Sequence, residues 1–352
     1  MNIGGKLNPK ISVIIPTYNA EKHFMKAFNS ILNQSFGYEN IELVIIDDNS
    51  NDSTKDILKD LSQKYDNINL ILMEENSGSP SKGRNIGIKE SSADYIMFLD
   101  QDDFYHEEIC EKLYGAAREY EADIVNCRII FYKDGKYIKE VNALDKKDKV
   151  LELNSIDDDP SFLVSTSIWN KIYKKSFILE NEISFAVKEL YEDTYFNVQA
   201  FIKASKIISL NDYYGIYYSI RESEDDKSTS KNFNKENLLK MYGGFKNIFS
   251  TIEKNGKSFP EFESQTLMGL TKWLLLSDCE KECKLKIYKE TERYFKRYNL
   301  FVRLENVSII KNILMNIFMK FIGLDEICFK LILNLFDIGF LRQRLQGFHY
   351  TN

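Results

Sequence analysis

Residues 94–103 form an apolar run that ends in three carboxylates, and this pattern constrains the fold more than any other. The run reads Asp-Tyr-Ile-Met-Phe-Leu-Asp-Gln-Asp-Asp. A buried strand delivers acids in this way to the carboxyl edge of an open α/β sheet, where such folds bind ligands. Because Asp100, Asp102 and Asp103 repel one another, a divalent cation held by carboxylate and phosphate oxygens is expected there. The alternative is a solvated turn whose acids cap the next helix.

The first half of the chain alternates short apolar runs with helical stretches. Residues 43–46 read Leu-Val-Ile-Ile and are apolar throughout, as in a parallel strand that is buried on both faces. Repeated βα units predict an α/β fold with a doubly wound, mostly parallel sheet flanked by helices. The predicted strands are Ile11–Ile15, Glu42–Ile46, Ile68–Met73, Asp94–Leu99 and Asp123–Phe131, and the predicted helices lie near Ala20–Gln34, Ser53–Tyr65, Pro80–Glu90 and Glu107–Tyr120.

Polar residues follow each of the first four predicted strands. Because right-handed crossovers bring the carboxyl ends of parallel strands to one edge of the sheet, these segments are expected to meet there. Helix capping accounts for Asn49 and Ser53 but does not explain why Asp47 and Asp48 precede them. Four polar strand ends at one edge predict a binding site. The segments are Pro-Thr-Tyr-Asn at 16–19, Asp-Asp-Asn-Ser at 47–50, Glu-Glu-Asn-Ser-Gly at 74–78 and Asp-Gln-Asp-Asp at 100–103.

A glycine-rich turn at residues 76–87 links the third predicted strand to the next helix. It contains a helix-starting proline, Pro80, and two cations, Lys82 and Arg84. Free backbone N–H groups at the start of a helix suit a diphosphate, and Arg84 is able to bind one with two parallel hydrogen bonds. The turn is neither a P-loop nor a dinucleotide fingerprint. A purely structural glycine turn is the alternative.

Composition narrows the functional classes. A net charge of −6 and a pI near 5.4 argue against a general nucleic-acid binder. The five cysteines show no disulfide rhythm, which favours a reducing cytoplasm. No apolar run precedes Lys10, so we expect no signal peptide.

Apolar residues recur at near-helical spacing between residues 309 and 336, with Lys and Arg interspersed. No run reaches the ~18–20 apolar residues that a transmembrane helix needs. Packing against the rest of the chain, or against a second copy in a homo-oligomer, is one interpretation of this pattern. Peripheral contact with a membrane surface is the alternative, because basic side chains lie beside Ile, Phe and Leu.

Four segments together resemble the family 2 glycosyltransferases, which are inverting enzymes of the GT-A fold that use sugar nucleotides and a divalent metal. The likeness lies in residues 11–19, 44–50, 84–87 and 98–103 and extends over about the first 215 residues. Two further segments resemble the branch of this family that builds bacterial capsules and decorates wall teichoic acids. They are Ser-Ile-Trp-Asn-Lys-Ile-Tyr-Lys-Lys at 167–175 and Tyr-Glu-Asp-Thr-Tyr-Phe at 191–196.

The resemblance implies a role for each matching residue. Asp102, with Asp100, would ligate Mn²⁺ or Mg²⁺. Asp193 would be the catalytic base, with Glu192 beside it. Tyr18 would stack on the uracil ring of the donor. The nucleotide-sugar pocket would consist of Pro16, Tyr18, Asp48, Asn76, Arg84, Asp100 and Gln101.

The chemistry needs these residue types. A departing nucleoside diphosphate develops negative charge, which a metal ion and a cation such as Arg84 stabilise. The incoming hydroxyl must lose a proton, which a carboxylate within hydrogen-bond reach can accept. We therefore predict a hexosyl- or N-acetylhexosaminyl-transferase that uses a UDP-sugar. Its expected acceptor is a hydroxyl of a cell-surface polysaccharide, a polyol-phosphate polymer such as teichoic acid, or a lipid-linked glycan precursor.

The predicted organisation has three regions. Residues 1–220 form a GT-A catalytic domain, with a nucleotide-sugar half at about 1–105 and an acceptor half at about 106–220. Residues 221–235 are polar and are expected to form a mobile loop, in which Arg221 is followed by acids where relatives often carry a His. Residues 236–352 form a smaller, all-helical accessory domain. The expected location is cytoplasmic, or peripheral on the inner face of the cell membrane.

Two other functions are compatible with parts of the pattern. A sugar nucleotidyltransferase shares a doubly wound sheet and an acidic metal site, but it is expected to carry a glycine-rich basic loop after its first strand, where Pro-Thr-Tyr-Asn stands here. A catalytically silent carbohydrate-binding scaffold of the same fold is the other alternative. Intact Asp102, Asp193 and Arg84 argue against it.

Overall fold

The computed structural model describes residues 8–133, 136–141, 148–164, 166–219, 232–298 and 329. The chain forms two compact units. The first unit comprises residues 1–188 and 192–223, and the helical unit comprises residues 189–191 and 224–352. Most of the loop predicted at 221–235, including Arg221, and the apolar stripe at 309–336 except for Phe329 lie outside the described residues.

The first unit begins with the alternating strands and helices that the sequence predicts. Each predicted element appears, with ends that differ by at most four residues at any position. The elements are β1 (Ile11–Thr17), α1 (Phe24–Leu32), β2 (Ile41–Asp47), α2 (Thr54–Lys64), β3 (Ile68–Leu72), α3 (Pro80–Glu90), β4 (Tyr95–Phe98), a short β5 (Phe104–Tyr105), α4 (Ile109–Glu119) and β6 (Ile124–Lys133).

The remaining elements of the first unit complete the same sheet. They are β7 (Lys136–Val141), β8 (Val150–Leu153), β9 (Lys171–Lys174), α5 (Lys175–Glu180), α6 (Glu192–Lys203) and β10 (Ile207–Ser219). The sheet has the order β3-β2-β1-β4-β9-β6-β10-β5, with β7 beside β6 and β8 beside β10. The predicted sheet with flanking helices is confirmed.

Strand direction reverses at β9, is restored at β6 and reverses again at β5, which pairs antiparallel with β10. The pairs among β3, β2, β1 and β4 are parallel, as expected for strands joined by helical crossovers. Strand β9 then pairs antiparallel with both β4 and β6, while β6 and β10 are parallel again. The second half of the sheet is therefore mixed, because β9 enters it from a long connection rather than through a βα unit.

Burial explains why the first strands are apolar throughout. Every residue of β1 and of β4 is buried, and β2 is buried except at Glu42. Helix α3 lies close against this layer, because a Cβ added at Gly87 would stand 2.3 Å from Ile14 Cγ2. Real Cβ atoms do not approach other atoms so closely, so only glycine allows α3 to pack at this distance.

The described part of the helical unit contains three helices after residue 232. They are α7 (Lys235–Lys254), α8 (Pro260–Leu276) and α9 (Lys281–Arg297). Asn234 caps α7, since its side chain accepts a hydrogen bond from Asn237 N. Buried aromatic residues join the helices, as in the stacked pair Phe245 and Phe249 beside Tyr294. No helix among the described residues is long and apolar enough to cross a membrane.

Candidate active site

A buried arginine connects three of the predicted acids. Arg84, on α3, is 2% exposed, and its Nη1 donates to Asp193 Oδ1 at 2.7 Å. Its Nη2 donates to Asp100 Oδ1 at 2.7 Å, and Nη1 lies 3.7 Å from Glu192 Oε1. The guanidinium also lies over the ring of Phe185, 5.3 Å from its centroid. The fold thus brings together a strand end and the first turn of α6, which are far apart in sequence.

This arrangement differs from the predicted placement of Arg84 at an open, phosphate-binding turn. Both terminal nitrogens of the guanidinium contact carboxylates, and the side chain is almost fully enclosed. Its Nε has no hydrogen-bond partner among the described residues. Arg84 lies one turn into α3, which packs closely on β1 and β2, and its side chain lies between the two acids. Arg84 therefore orders the carboxylates.

Burial and the charge of Arg84 shift the pKa of Asp193 in opposite directions. Removal from water disfavours the charged carboxylate, and burial raises the pKa of Asp193 to about 8 although Arg84 opposes this shift. Burial raises the pKa of Glu192 in the same direction. The three carboxylates in turn raise the pKa of Arg84 against the effect of its own burial. The surroundings of Asp193 therefore favour the protonated carboxyl group more than water does.

The ends of β2 and β3 are joined through Asp48. Its carboxylate accepts hydrogen bonds from Ser77 N at 2.8 Å and from Ser77 Oγ at 3.1 Å. Its carbonyl accepts from Asn76 Nδ2 at 2.8 Å, and Asn76 Oδ1 accepts from Gly78 N. Gly78 has φ 76°, a conformation that glycine adopts without strain. Asp48 and Asn76 thus meet at the sheet edge, and Ser77 is a third member that the sequence interpretation had not singled out.

Asp47, the preceding acid, has a different function in the fold. It is fully buried and accepts hydrogen bonds from Ser50 N at 2.9 Å and from Ser50 Oγ at 2.5 Å. Asn49, between them, has φ 59°, which this residue type tolerates better than most. Asp47 therefore closes the turn after β2 and leaves Asp48 to face the strand-end segment of β3.

Gln101 links the acidic turn, which comprises residues 100–103, to the end of β1. Its Oε1 accepts from Tyr18 N at 2.7 Å, and its Nε2 donates to Tyr18 O at 3.1 Å. The Tyr18 side chain remains 42% exposed, whereas Pro16 is buried within β1. An exposed aromatic ring on a backbone held at both polar atoms offers a firm stacking surface.

The acidic turn itself divides into separate contacts. Asp100 bonds to Arg84 through one oxygen, and its side chain is 30% exposed. Asp103 is 1% exposed and accepts from Ser219 N of β10 at 2.8 Å. The interpretation of Asp103 as a helix-capping acid is wrong, because α4 begins at Ile109 with Glu108 as its N-cap. Asp103 instead joins the turn to β10, the strand that pairs with the adjacent β5.

Asp100 and Asp102 fit a divalent cation that also takes ligands from a substrate. No group of three His, Cys, Asp or Glu side chains among the described residues is placed to hold a metal by itself. Mg²⁺ and related hard cations are commonly bound by one or two carboxylates together with substrate phosphates. Asp100 and Asp102 are both partly exposed, which suits this incomplete donor set.

A buried polar network lies one turn along α6 from Asp193 and was not predicted. Asn197, one turn after Asp193 on α6, donates to the carbonyls of Thr166 and Ser167 and accepts from Tyr173 OH at 2.8 Å. Lys171 is fully buried and donates to Ser167 O at 2.5 Å and to Asn170 Oδ1 at 3.0 Å. Burial lowers the pKa of Lys171 to about 7. In the sequence, the sign of this network was the polar pair Asn170-Lys171 within the otherwise apolar run at 168–173. The family resemblance included this segment but assigned no role to either residue.

A mixed sheet flanked by helices, with polar side chains at the ends of its parallel strands, is the architecture of the GT-A class of glycosyltransferases. The family profile described as Glycosyl transferase family 2 matches residues 12–174. Poly(ribitol-phosphate) beta-N-acetylglucosaminyltransferase TarP of Staphylococcus aureus is 31% identical over 247 residues, which cover 70% of this chain and 73% of that protein. The chain belongs to glycosyltransferase family 2.

Other relatives are longer than this chain. Poly(ribitol-phosphate) beta-glucosyltransferase of Bacillus spizizenii is 32% identical over 251 residues, which cover 69% of this chain but only 37% of that enzyme. Among experimental structures, S. aureus TarS 1–349 in complex with UDP-GlcNAc has a TM-score of 0.66 at 22% identity. The match covers 94% of this chain and 92% of that one. At this identity the likeness confirms the fold.

Proposed function

We propose that this chain transfers a hexosyl or N-acetylhexosaminyl group from a UDP-sugar to a hydroxyl of a polyol-phosphate polymer of the teichoic acid type. The observation that carries the proposal is the contact between the partly exposed carboxylate of Asp193 and the buried guanidinium of Arg84, whose Nη1 donates to Oδ1 at 2.7 Å and orients it. The names of the relatives support the donor and the acceptor. TarP and the B. spizizenii enzyme are named for poly(ribitol-phosphate), and TarS binds UDP-GlcNAc.

The donor is bound at the strand ends. Tyr18 stacks on the uracil ring, with its backbone held by Gln101. Asp48 and Asn76 border the nucleoside, and Pro16 supports the floor of this pocket from within β1. Asp100 and Asp102 would hold Mn²⁺ or Mg²⁺, and a bound ion would supply positive charge near the departing diphosphate. Arg84 keeps Asp100 in place beside the diphosphate.

The reaction is a single displacement. An acceptor hydroxyl oxygen attacks C1 of the donor sugar, and the bond between C1 and the β-phosphate oxygen breaks. Asp193 accepts the hydroxyl proton, and the bond electrons leave with UDP. Glu192 lies beside Asp193 and shares the charge of Arg84 with it. One displacement at C1 inverts the configuration, so an α-linked UDP-sugar yields a β-linked product.

Residue placement favours this reaction over nucleotidyl transfer. A nucleotidyltransferase needs a basic, glycine-rich loop after the first strand, and here that position holds Tyr18, whose backbone is bonded to Gln101. The free cysteines Cys110, Cys127 and Cys279 are buried thiols. They support a reducing, cytoplasmic site of action, where the chain works at its polymer or lipid-linked substrate.

We assign catalysis to residues 1–220 and an accessory role to residues 236–352.

The test is a transfer assay with a defined acceptor. UDP-glucose and UDP-N-acetylglucosamine are each supplied with Mn²⁺ and poly(ribitol phosphate), and both UDP and the glycosylated polymer are measured. We expect equal amounts of UDP and polymer-linked sugar, with a β linkage by NMR. UDP binding without any polymer-linked product from either donor would overturn the proposed acceptor. An α-linked product would overturn the single displacement.

A further inference from the structure

Three residues that precede the acids pack within the helical unit. Residues 189–191 belong to this unit, although the residues on both sides of them belong to the first unit. Leu190 N donates to Lys240 O on α7 at 3.3 Å. The side chains of Lys240 and Lys246 lie near Glu189 and oppose the burial that raises the pKa of its carboxyl group. We call residues 189–191 the strap.

Glycines on two helices make room for the strap. A Cβ added at Gly244 would stand 1.9 Å from Leu190 O, and one added at Gly269 would stand 2.1 Å from Tyr191 OH. A Cβ at Gly243 would meet the carboxylate of Glu189. Glycine inside a helix is less stable than alanine, so these helices give up stability at the positions where the strap lies.

The strap is also held in an unfavourable backbone conformation. Tyr191, in the strap, has φ 65°, and Lys188, which directly precedes the strap, has φ 68°. Bulky side chains rarely adopt this backbone region. Such residues persist where surrounding contacts determine the backbone, and they concentrate at functional sites. The next residues after Tyr191 are Glu192 and Asp193, which begin α6.

We propose that the helical unit serves the transfer step by fixing the strap, and that Gly244, Gly269 and Tyr191 are positioning residues for Asp193. The physical reason is chain continuity. A peptide whose dihedral angles are set at Tyr191 limits where the first turn of α6 begins, and a base must lie within hydrogen-bond reach of its proton. The expected effect on the transfer rate rests on the proposed function. The expected effect on amide hydrogen exchange rests on the structure alone.

Gly244→Ala and Gly243→Ala form a matched pair on one helix. Alanine at 244 meets a backbone carbonyl, which cannot move without moving the strap. Alanine at 243 meets the flexible end of Glu189, which swings away. We expect Gly244→Ala to raise amide hydrogen exchange in peptides covering 186–196 and to lower kcat at least about tenfold with the donor Kd unchanged, since small misplacements of a base cost this much. Gly243→Ala should match the wild type.

A second pair of variants distinguishes a local clash with the strap from a general folding defect. Gly269→Ala places a methyl group against the phenol oxygen of Tyr191, so removing that oxygen should relieve the clash. We expect Gly269→Ala to behave like Gly244→Ala, and Gly269→Ala with Tyr191→Phe to regain most of the wild-type rate and protection. If Gly244→Ala matches Gly243→Ala in exchange, or the double variant gains nothing over Gly269→Ala, the strap has no positioning role.

The two arms separate the proposals. Exchange is measured without substrate, so it tests the strap even if no donor is turned over. If exchange rises as expected but the wild type transfers no sugar, the proposed function fails and the docking of the strap stands. Raised exchange with unchanged kcat would overturn the positioning role while leaving the transferase activity intact.

Discussion

The carboxamide of Gln101 accepts a hydrogen bond from the backbone N–H of Tyr18 and donates one to the carbonyl oxygen of the same residue. The distances are 2.7 Å for Tyr18 N to Oε1 and 3.1 Å for Nε2 to Tyr18 O. The two residues follow β4 and β1, which are neighbours in the sheet. The acidic turn therefore holds the backbone beneath the exposed ring that is proposed to stack on the donor base.

Removal of this clamp should weaken nucleotide binding. Gln101→Ala releases the Tyr18 backbone, so part of the binding free energy is spent on ordering it, and we expect UDP affinity to fall on the order of tenfold. Isothermal titration calorimetry measures this directly. The control is Gln63→Ala, an exposed glutamine on α2. Equal UDP affinity in both variants would contradict the role of Gln101.

Asp193→Asn should separate binding from chemistry. The amide has nearly the same shape but cannot accept a proton, so we expect transfer to fall by about 10²- to 10⁴-fold while UDP still binds. Single-turnover transfer and calorimetry measure the two effects. Glu192→Gln is the comparison, and it should lose much less because Arg84 Nη1 lies 3.7 Å from Glu192 but 2.7 Å from Asp193. The reverse order of effects would assign the base to Glu192.

The pH dependence of transfer follows from the raised pKa of Asp193. A base must be ionised, and this carboxyl is protonated below its pKa of about 8. We therefore expect kcat/KM for the free enzyme to rise with pH and to level off above about 8. Initial rates at saturating Mn²⁺ between pH 6 and about 9.5 test this, and that limb should vanish in Asp193→Asn. A profile already flat at pH 6.5 would exclude this carboxyl as the base.

The acidic turn should carry the metal dependence of donor binding. Asp102→Asn removes a proposed ligand charge, and we expect UDP affinity in Mn²⁺ to fall at least about tenfold, with little change in EDTA. Asp94→Asn is the matched control, because Asp94 is exposed and precedes the amino end of the same strand. If Asp102→Asn loses as much affinity in EDTA as in Mn²⁺, its effect is on the nucleotide and not on a metal.

The titration of Lys171 should make the free energy of unfolding depend on pH. Its folded pKa is lowered to about 7 from 10.5, so between these values the unfolded chain holds a proton that the folded chain has released. Stability contributed by this group therefore rises with pH across that window, by at most about 1.4 kcal/mol per pH unit. We expect the wild type to gain stability over Lys171→Met between pH 7 and pH 9 in urea unfolding. A constant difference would contradict a buried, titrating lysine.

Local pattern predicted most of the first sheet. Helix α3 begins and ends at Pro80 and Glu90 as predicted, because a proline at N1 and a change of periodicity are signals within a few residues. The apolar runs of β1, β2 and β4 likewise identified buried parallel strands. Strand β9 entered the sheet antiparallel, and no local period distinguishes that direction.

The sequence by itself determined the fold class, the family, and the polar strand ends at which a site was predicted. The tertiary structure decided which of these residues touch. Arg84 meets Asp100 and Asp193, which are 16 and 109 residues away, and Asp103 accepts a hydrogen bond from Ser219, which is 116 residues away. Periodicity and capping act over a few residues, whereas such partners depend on how closely helices and strands pack. Glycine at 87 lets α3 pack closely on β1, and Arg84 on the same helix bridges Asp100 and Asp193.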